Sequence, residues 1–278
     1  MFQKSKPFKF STRLALAAAG GVAFSGLAMA SETRCQLENG YAMNLSAYVS
    51  EATICVEQSN TFQSAIAERL LEEMNAERRS EGLAPLVQRP SLDMAAKAHA
   101  LDMSTRIYAD HLDLEGRDHL HRIRAFDRTM LVGASGSNVT VSPATGDAKS
   151  AYRSIKWDRL NVDNMMRDRF TDVGIGVVET AGQYYIVQVF AAAEGDLEHA
   201  LPVTADGSTP LSAKLAHRNQ RVLAWGLMDT DSGEMLAGGS VPRVRFTRLG
   251  EANAELDVLV GVRNDTHVLK GPLVAGQN

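Results

Sequence analysis

The polar chemistry open to this sequence rests on a few histidines, two serines and scattered acids. His99, His111, His119 and His121 lie in one stretch, and Ser135 and Ser137 stand in the small-residue run GASGSNV. Cys35 and Cys55, the only two cysteines, sit close together. In an oxidising compartment they are expected to pair, closing a loop worth ~3 kcal/mol in the chain-entropy view. A metal site built on them lacks a neighbouring histidine, and pairing leaves no thiol nucleophile. His119 and His121 are two residues apart; on a helix they point about 200° apart and do not chelate together. They read as solvated or capping side chains. His99, on an apolar stripe, reads as a hydrogen-bonded core histidine. A hydrolase elbow needs G-x-S-x-G on a strand-to-helix turn. ASGSN does not satisfy it, and the small residues read as a tight backbone turn. Arg117, Arg122, Arg124 and Arg128 interleave with Asp113, Glu115, Asp118 and Asp127, the pattern of a self-paired, solvated surface.

The elements that would position these groups follow from periodicity. Lys4, Lys6, Lys9 and Arg13 precede the apolar run LALAAAGGVAFSGLAMA, which ends in Ala28-Met29-Ala30. This is the form of a secretory signal peptide over 1–30, too short and Gly-rich for a comfortable membrane span. Without its four cations the net charge falls from −4 to −8, which excludes a phosphate-backbone binder. No later run approaches the ~20 apolar residues of a membrane span. Residues 31–58 form an extension without a strong period. A helix then starts, with Asn60 expected as its cap and Phe62, Ile66, Leu70 and Met74 at helical spacing. Gly82 and Pro85 end it. A second helix follows Pro90, and shorter ones fit 116–126 and 147–159. VGIGVV (173–178) and YYIVQVFA (184–191) read as a hairpin across TAGQ, and Met130–Val132 and Val139–Val141 supply further strands. Residues 195–220 hold Gly195, Pro202, Gly207 and Pro210 and read as a linker. Beyond it VLAWGLM (222–228), VRFTR (244–248) and the alternating Leu256, Val258, Val260 and Val262 read as a small all-β domain over 221–278.

Six segments, in order, resemble the CAP superfamily of cysteine-rich secretory, antigen 5 and pathogenesis-related proteins, in its bacterial SCP-like branch. They are MNAERRSEGLAPL (74–86), SLDMAAKAHALDM (91–103), DHLDLEG with HRIRA (110–125), GSNV (136–139), NVDNMMRDRFTDVGIGV (161–177) and YYIVQVFA (184–191). The resemblance covers about 70–191 and places a CAP domain over 59–194. It implies an α+β fold: a CAP-type α-β-α sandwich followed by the small β domain. It also implies a cleft with two histidines and two acids that holds a divalent metal in some members. Carried over, the first histidine is His111, the first acid falls on Ser137, the second acid falls near Asp158, and the second histidine falls on Asn161. Asn164 matches the motif's closing asparagine.

Zinc needs about four N, S or carboxylate ligands, or three and a water. Ser137 and Asn161 are weak neutral ligands, and a single carboxylate offers little to a calcium or magnesium ion. The expectation is therefore a tetrad without metal or other cofactor, and no catalytic residue. The chain is expected to be exported, periplasmic or secreted. Its cleft of His111, Ser137, Asp158, Asn161 and Asn164 is expected to bind a lipid, peptide or glycan without turnover. Two alternatives come from other classes: a metal-dependent hydrolase or peptidase of the cell envelope, and an envelope interaction module acting through the β domain. Composition leaves the oligomeric state open.

Overall fold

A computed structural model describes residues 35–204, 211–240 and 252–276. The leader and the VRFTR strand lie outside the described residues. After a 3₁₀ turn at Leu37–Asn39 the chain runs through α1 (Leu45–Gln58), α2 (Ser64–Ser80), β1 (Val87–Gln88), α3 (Pro90–Arg106) and α4 (His119–Phe126). Then follow β2 (Met130–Pro143), α5 (Ala148–Lys156), α6 (Arg159–Met165), β3 (Asp172–Thr180) and β4 (Gln183–Leu197). The remainder is β5 (Ala213–Leu215), β6 (Gln220–Asp229), β7 (Met235–Gly239), β8 (Ala254–Val262) and β9 (Asp265–Val274).

The fold is α+β, with a central sheet between helices. Along β4 the side chains alternate strictly. Tyr185, Val187, Val189 and Ala191 enter a core shared with α1, α3 and α4. Tyr184, Ile186, Phe190 and Ala192 enter one shared with α2, α5 and α6. This is the period-two rule of a strand buried on both faces. Gln188 interrupts the second row as a fully buried amide. On β3, Val173, Ile175 and Val177 take the α2 side, and Gly174 and Gly176 lie directly under α3. The β3–β4 hairpin turns through Ala181 (φ 51°) and Gly182 (φ 72°), two left-handed residues that match the twist of paired strands.

The sheet order is β1-β3-β4-β2-β9-β8-β6-β7, with β5 pairing β4 off that path. β1 runs parallel to β3; the other pairs are antiparallel. The C-terminal strands join the rest through Val132 opposite Lys270 and fill a third core around Trp225, Leu227, Leu256, Val258 and Val260. The stretch 195–220 begins inside β4 and contains β5, and Leu201 and Leu211 are buried in that third core.

Three local expectations are corrected. Asn60 does not cap α2. Thr61 accepts from Glu179 N–H and Gln63 donates to Val177, so residues 61–63 lie along β3 and the helix starts at Ser64. The extension contains α1, capped by the Asn44 side chain and disulfide-linked from Cys55 to Cys35. The arginine run is not a solvated surface. Arg117, Arg122 and Arg124 are buried, and most of their donors meet backbone carbonyls. Arg124 donates to Gly271 and Leu256 O at 2.6 and 3.0 Å and pairs with Glu255. Arg128 donates to Leu201 and Leu273 O at 2.8 and 2.7 Å. These two side chains fasten β8 and β9 to α4. Charged donors on carbonyls that would otherwise be buried unpaired are the stronger class of hydrogen bond.

Candidate functional site

His111 lies on the loop after α3, and buried groups hold that loop from beneath. His99 Nε2 donates to Asp110 O at 2.8 Å, and Arg122 donates to His111 O at 2.7 Å. A carbonyl only accepts, so His99 carries its proton on Nε2. Burial and the Arg122 charge push its pKa well down. The exposed His111 ring places Nδ1 2.9 Å from Ser137 Oγ, on the middle of β2.

The other family positions are engaged within the protein. Asp158 caps α6, accepting from Leu160 N–H at 2.8 Å. Asn161, 4% exposed, turns inward and donates to Ile155 O and Thr140 Oγ1 at 3.1 and 3.3 Å. It belongs to the floor rather than to the lining of a cleft. Asn164 donates to Ser137 O and Asn138 Oδ1 at 3.2 and 3.0 Å. Asn138 in turn donates to Asn161 O and Gln188 Oε1, both at 3.0 Å. His111 and Ser137 are thus brought together and Asn164 backs them. Among the described residues no hydrogen bond joins His111 to Asp158 or Asn161.

This network makes α6 and β2 one rigid surface, because a buried amide left unpaired costs ~1–3 kcal/mol. Asn138 and Gln188 complete it and were not singled out as site residues from the sequence. Asn138 opens the sequence Asn138-Val139-Thr140, an N-glycosylation pattern, and its burial at 1% exposure leaves no room for a glycan. Gln188 could have been found as the one amide inside the apolar run YYIVQVFA.

The donor set does not fit a divalent metal. One imidazole, a serine and an inward-turned asparagine supply no carboxylate. Among the described residues no acid is hydrogen-bonded to the far side of the His111 ring to orient it as a base. Elsewhere, carboxylate oxygens of Asp102, Asp113 and Glu115 lie within 4.8 Å of one another. Arg106 forks onto Asp102 and Glu115 at 2.6–2.7 Å, and Arg117 pairs with Asp113 at 2.6 Å. Arg117 also donates to Ala42 O. These carboxylates are engaged in tying the N-terminal extension to α3 and α4.

His119 and His121 are partly buried rather than solvated, and burial lowers both pKa values, that of His121 to about 4. Its ring lies 6.1 Å from that of Tyr48. A folded-state pKa below the unfolded ~6.5 means acid favours unfolding. The contribution is intact above pH ~6.5 and is lost as pH falls toward 4, by about 3 kcal/mol. Denaturation at pH 7.5, 6, 5 and 4 should show this slope, and His121→Gln should flatten it. An unchanged slope in the variant would move the acid sensitivity to other groups.

A fold of helices on both faces of a mainly antiparallel sheet, with this cleft, defines an α-β-α sandwich domain. Residues 71–190 match the family described as the cysteine-rich secretory protein family, CAP, and the chain carries a CAP domain. The uncharacterized protein YkwD of Bacillus subtilis is 28% identical over 138 residues, 47% of this chain. The chain spans about half, 52%, of that relative's length. Two solved structures are also similar. An outer surface protein of Borrelia burgdorferi is 15% identical with a TM-score of 0.41, over 46% of this chain and 93% of its own. An extracellular SCP-domain protein of Bacillus anthracis is 20% identical with a TM-score of 0.39, over 46% of this chain and 41% of its own. Among the described residues no helix is long and apolar enough to cross a membrane.

Proposed function

We propose that this CAP-domain protein is exported, to the periplasm or beyond, and binds an organic ligand without turnover beside His111. The ligand class is a lipid, peptide or glycan. The observation that supports this reading is the His111–Ser137 pair. An exposed imidazole bonded to a buried hydroxyl can recognise a polar group, and among the described residues it is bonded neither to the carboxylates of a metal centre nor to the acid of a triad. Asn138, Asn161, Asn164 and Gln188 keep the floor of the site rigid, which lowers the ordering cost of binding.

The test is native mass spectrometry of residues 31–278 recovered from the compartment to which they are exported, set against the denatured mass. The expected result is an organic mass difference that disappears on denaturation and in a His111→Ala, Ser137→Ala double variant. A metal-sized difference would overturn the reading and restore His111 as a ligand. A bare mass would also overturn it, in favour of docking through the C-terminal strands.

A further inference from the structure

A groove of about 500 Å³ lies away from His111, where the C-terminal half of β2 meets α5. Its volume falls in the ~300–1,000 Å³ range of small-molecule clefts. Its lining includes Thr140, Ser142, Ser150, Arg153, Ser154 and Trp157. Three features set this surface apart. Trp157 is 94% exposed, although tryptophan is among the residues most buried on average; Trp225, by contrast, is in the core. Ser142 is 4% exposed, and among the described residues its hydroxyl has no hydrogen-bond partner, an uncommon condition for a buried polar group. Arg153 spends one hydrogen bond on Ser150 Oγ at 3.0 Å. It forms no ion pair within 4.0 Å among the described residues, and Asp147, engaged in capping α5, interacts with its charge at longer range.

We propose that this groove is a saccharide site, selective for sugars that carry a carboxylate. An indole face takes the C–H face of a pyranose ring, which is apolar, while the ring's rim of hydroxyls needs short side-chain hydroxyls as partners. Trp157 supplies the first, and Ser142, Ser150 and Ser154 supply the second. The Arg153 guanidinium matches a carboxylate in a two-point fork. An aliphatic chain would leave both the Ser142 hydroxyl and the Arg153 donors unmatched. The groove uses neither His111 nor Ser137, so it stands whether or not the cleft binds a ligand.

Trp157 is also the reporter, because the other tryptophan is buried. Trigalacturonate, an acidic trisaccharide, should quench and blue-shift the emission of the full exported chain saturably. Chitotriose, neutral and of equal length, should bind about tenfold more weakly, or ~1.4 kcal/mol. By calorimetry Trp157→Ala should abolish binding, and Arg153→Gln should erase the preference for the acid. Circular dichroism melts should be unchanged in both variants, since these side chains are exposed. Absence of heat and emission change with either sugar at about 10 mM would overturn the proposal, that being far weaker than specific recognition. So would affinity that survives Trp157→Ala, or an acid preference that survives Arg153→Gln. Neutral and acidic sugars binding equally would overturn the carboxylate selectivity.

Discussion

Gly174→Ala should destabilise the protein by about 3 kcal/mol or more, the largest effect expected from adding a single carbon. Gly174 lies on β3 beneath α3, and a Cβ there would overlap the Leu92 carbonyl group and the Asp93 nitrogen. At Gly176, one α3 turn further along, it would lie 2.6 Å from the Ala96 carbonyl and Lys97 nitrogen. In both cases the obstacle is helix backbone, which no rotamer change relieves, so α3 must lift from the sheet. Overpacking usually costs ~1–3 kcal/mol where side chains can give way, and more where they cannot. Lifting α3 would also open the row of Leu92, Ala96 and Ala100 and shift the loop that carries His111. Chemical denaturation of Gly174→Ala and Gly176→Ala measures this. A loss under about 1 kcal/mol would mean that α3 yields freely and that the glycines serve another purpose.

Arg78→Ala should cost about 4 kcal/mol, and Arg78→Lys most of that. Arg78 is 0% exposed and sends its fork to four carbonyls. These are Ala84 at 2.8 Å, Met165 at 2.7 Å, Arg167 at 3.0 Å and Phe170 at 3.5 Å. It joins the end of α2 to the segment between α6 and β3. Alanine would leave a void and unpaired carbonyls, each worth ~1–3 kcal/mol. An ammonium keeps the charge but cannot span the same acceptors. Because this segment fixes the end of α6, Asn164 should loosen from Ser137 as well. Denaturation of both variants, with amide exchange of residues 161–170, reads the two effects. Lysine restoring full stability would show that charge, not the fork, is what the site requires.

Much of this architecture was legible in the chain because it rests on local rules. VGIGVV, TAGQ and YYIVQVFA form the β3–β4 hairpin as read, since alternation and a two-residue turn are short-range signals. The helix after Pro90 is α3, and the Leu256 to Val262 alternation is β8. The misses involve long-range partners. The 116–128 arginines carry the interleaved charges of a wet surface, but Arg124 and Arg128 serve carbonyls that come from distant strands. The start of α2 lies past Asn60 because β3 claims residues 61–63. α1 was missed although its buried Leu45, Tyr48, Ala52, Cys55 and Val56 recur at helical spacing.

At the cleft, the sequence alone determined which atoms are available: one imidazole, a serine hydroxyl, the Asp158 carboxylate and two asparagine amides, where a metal tetrad would need a second carboxylate and a second imidazole. Ligand chemistry follows from side-chain type, so the expectation of a site without metal needed no coordinates. Only the tertiary structure decided where those atoms point. Asn161 faces Ile155 and Thr140, Asp158 is bound to its own helix, and His111 is left to Ser137. A buried amide turns toward whichever unpaired carbonyl lies nearest, and those carbonyls come from elements that fold together only in three dimensions. The same reason hid Trp157. An aromatic in a helical stretch reads as core until packing shows which face has no neighbour.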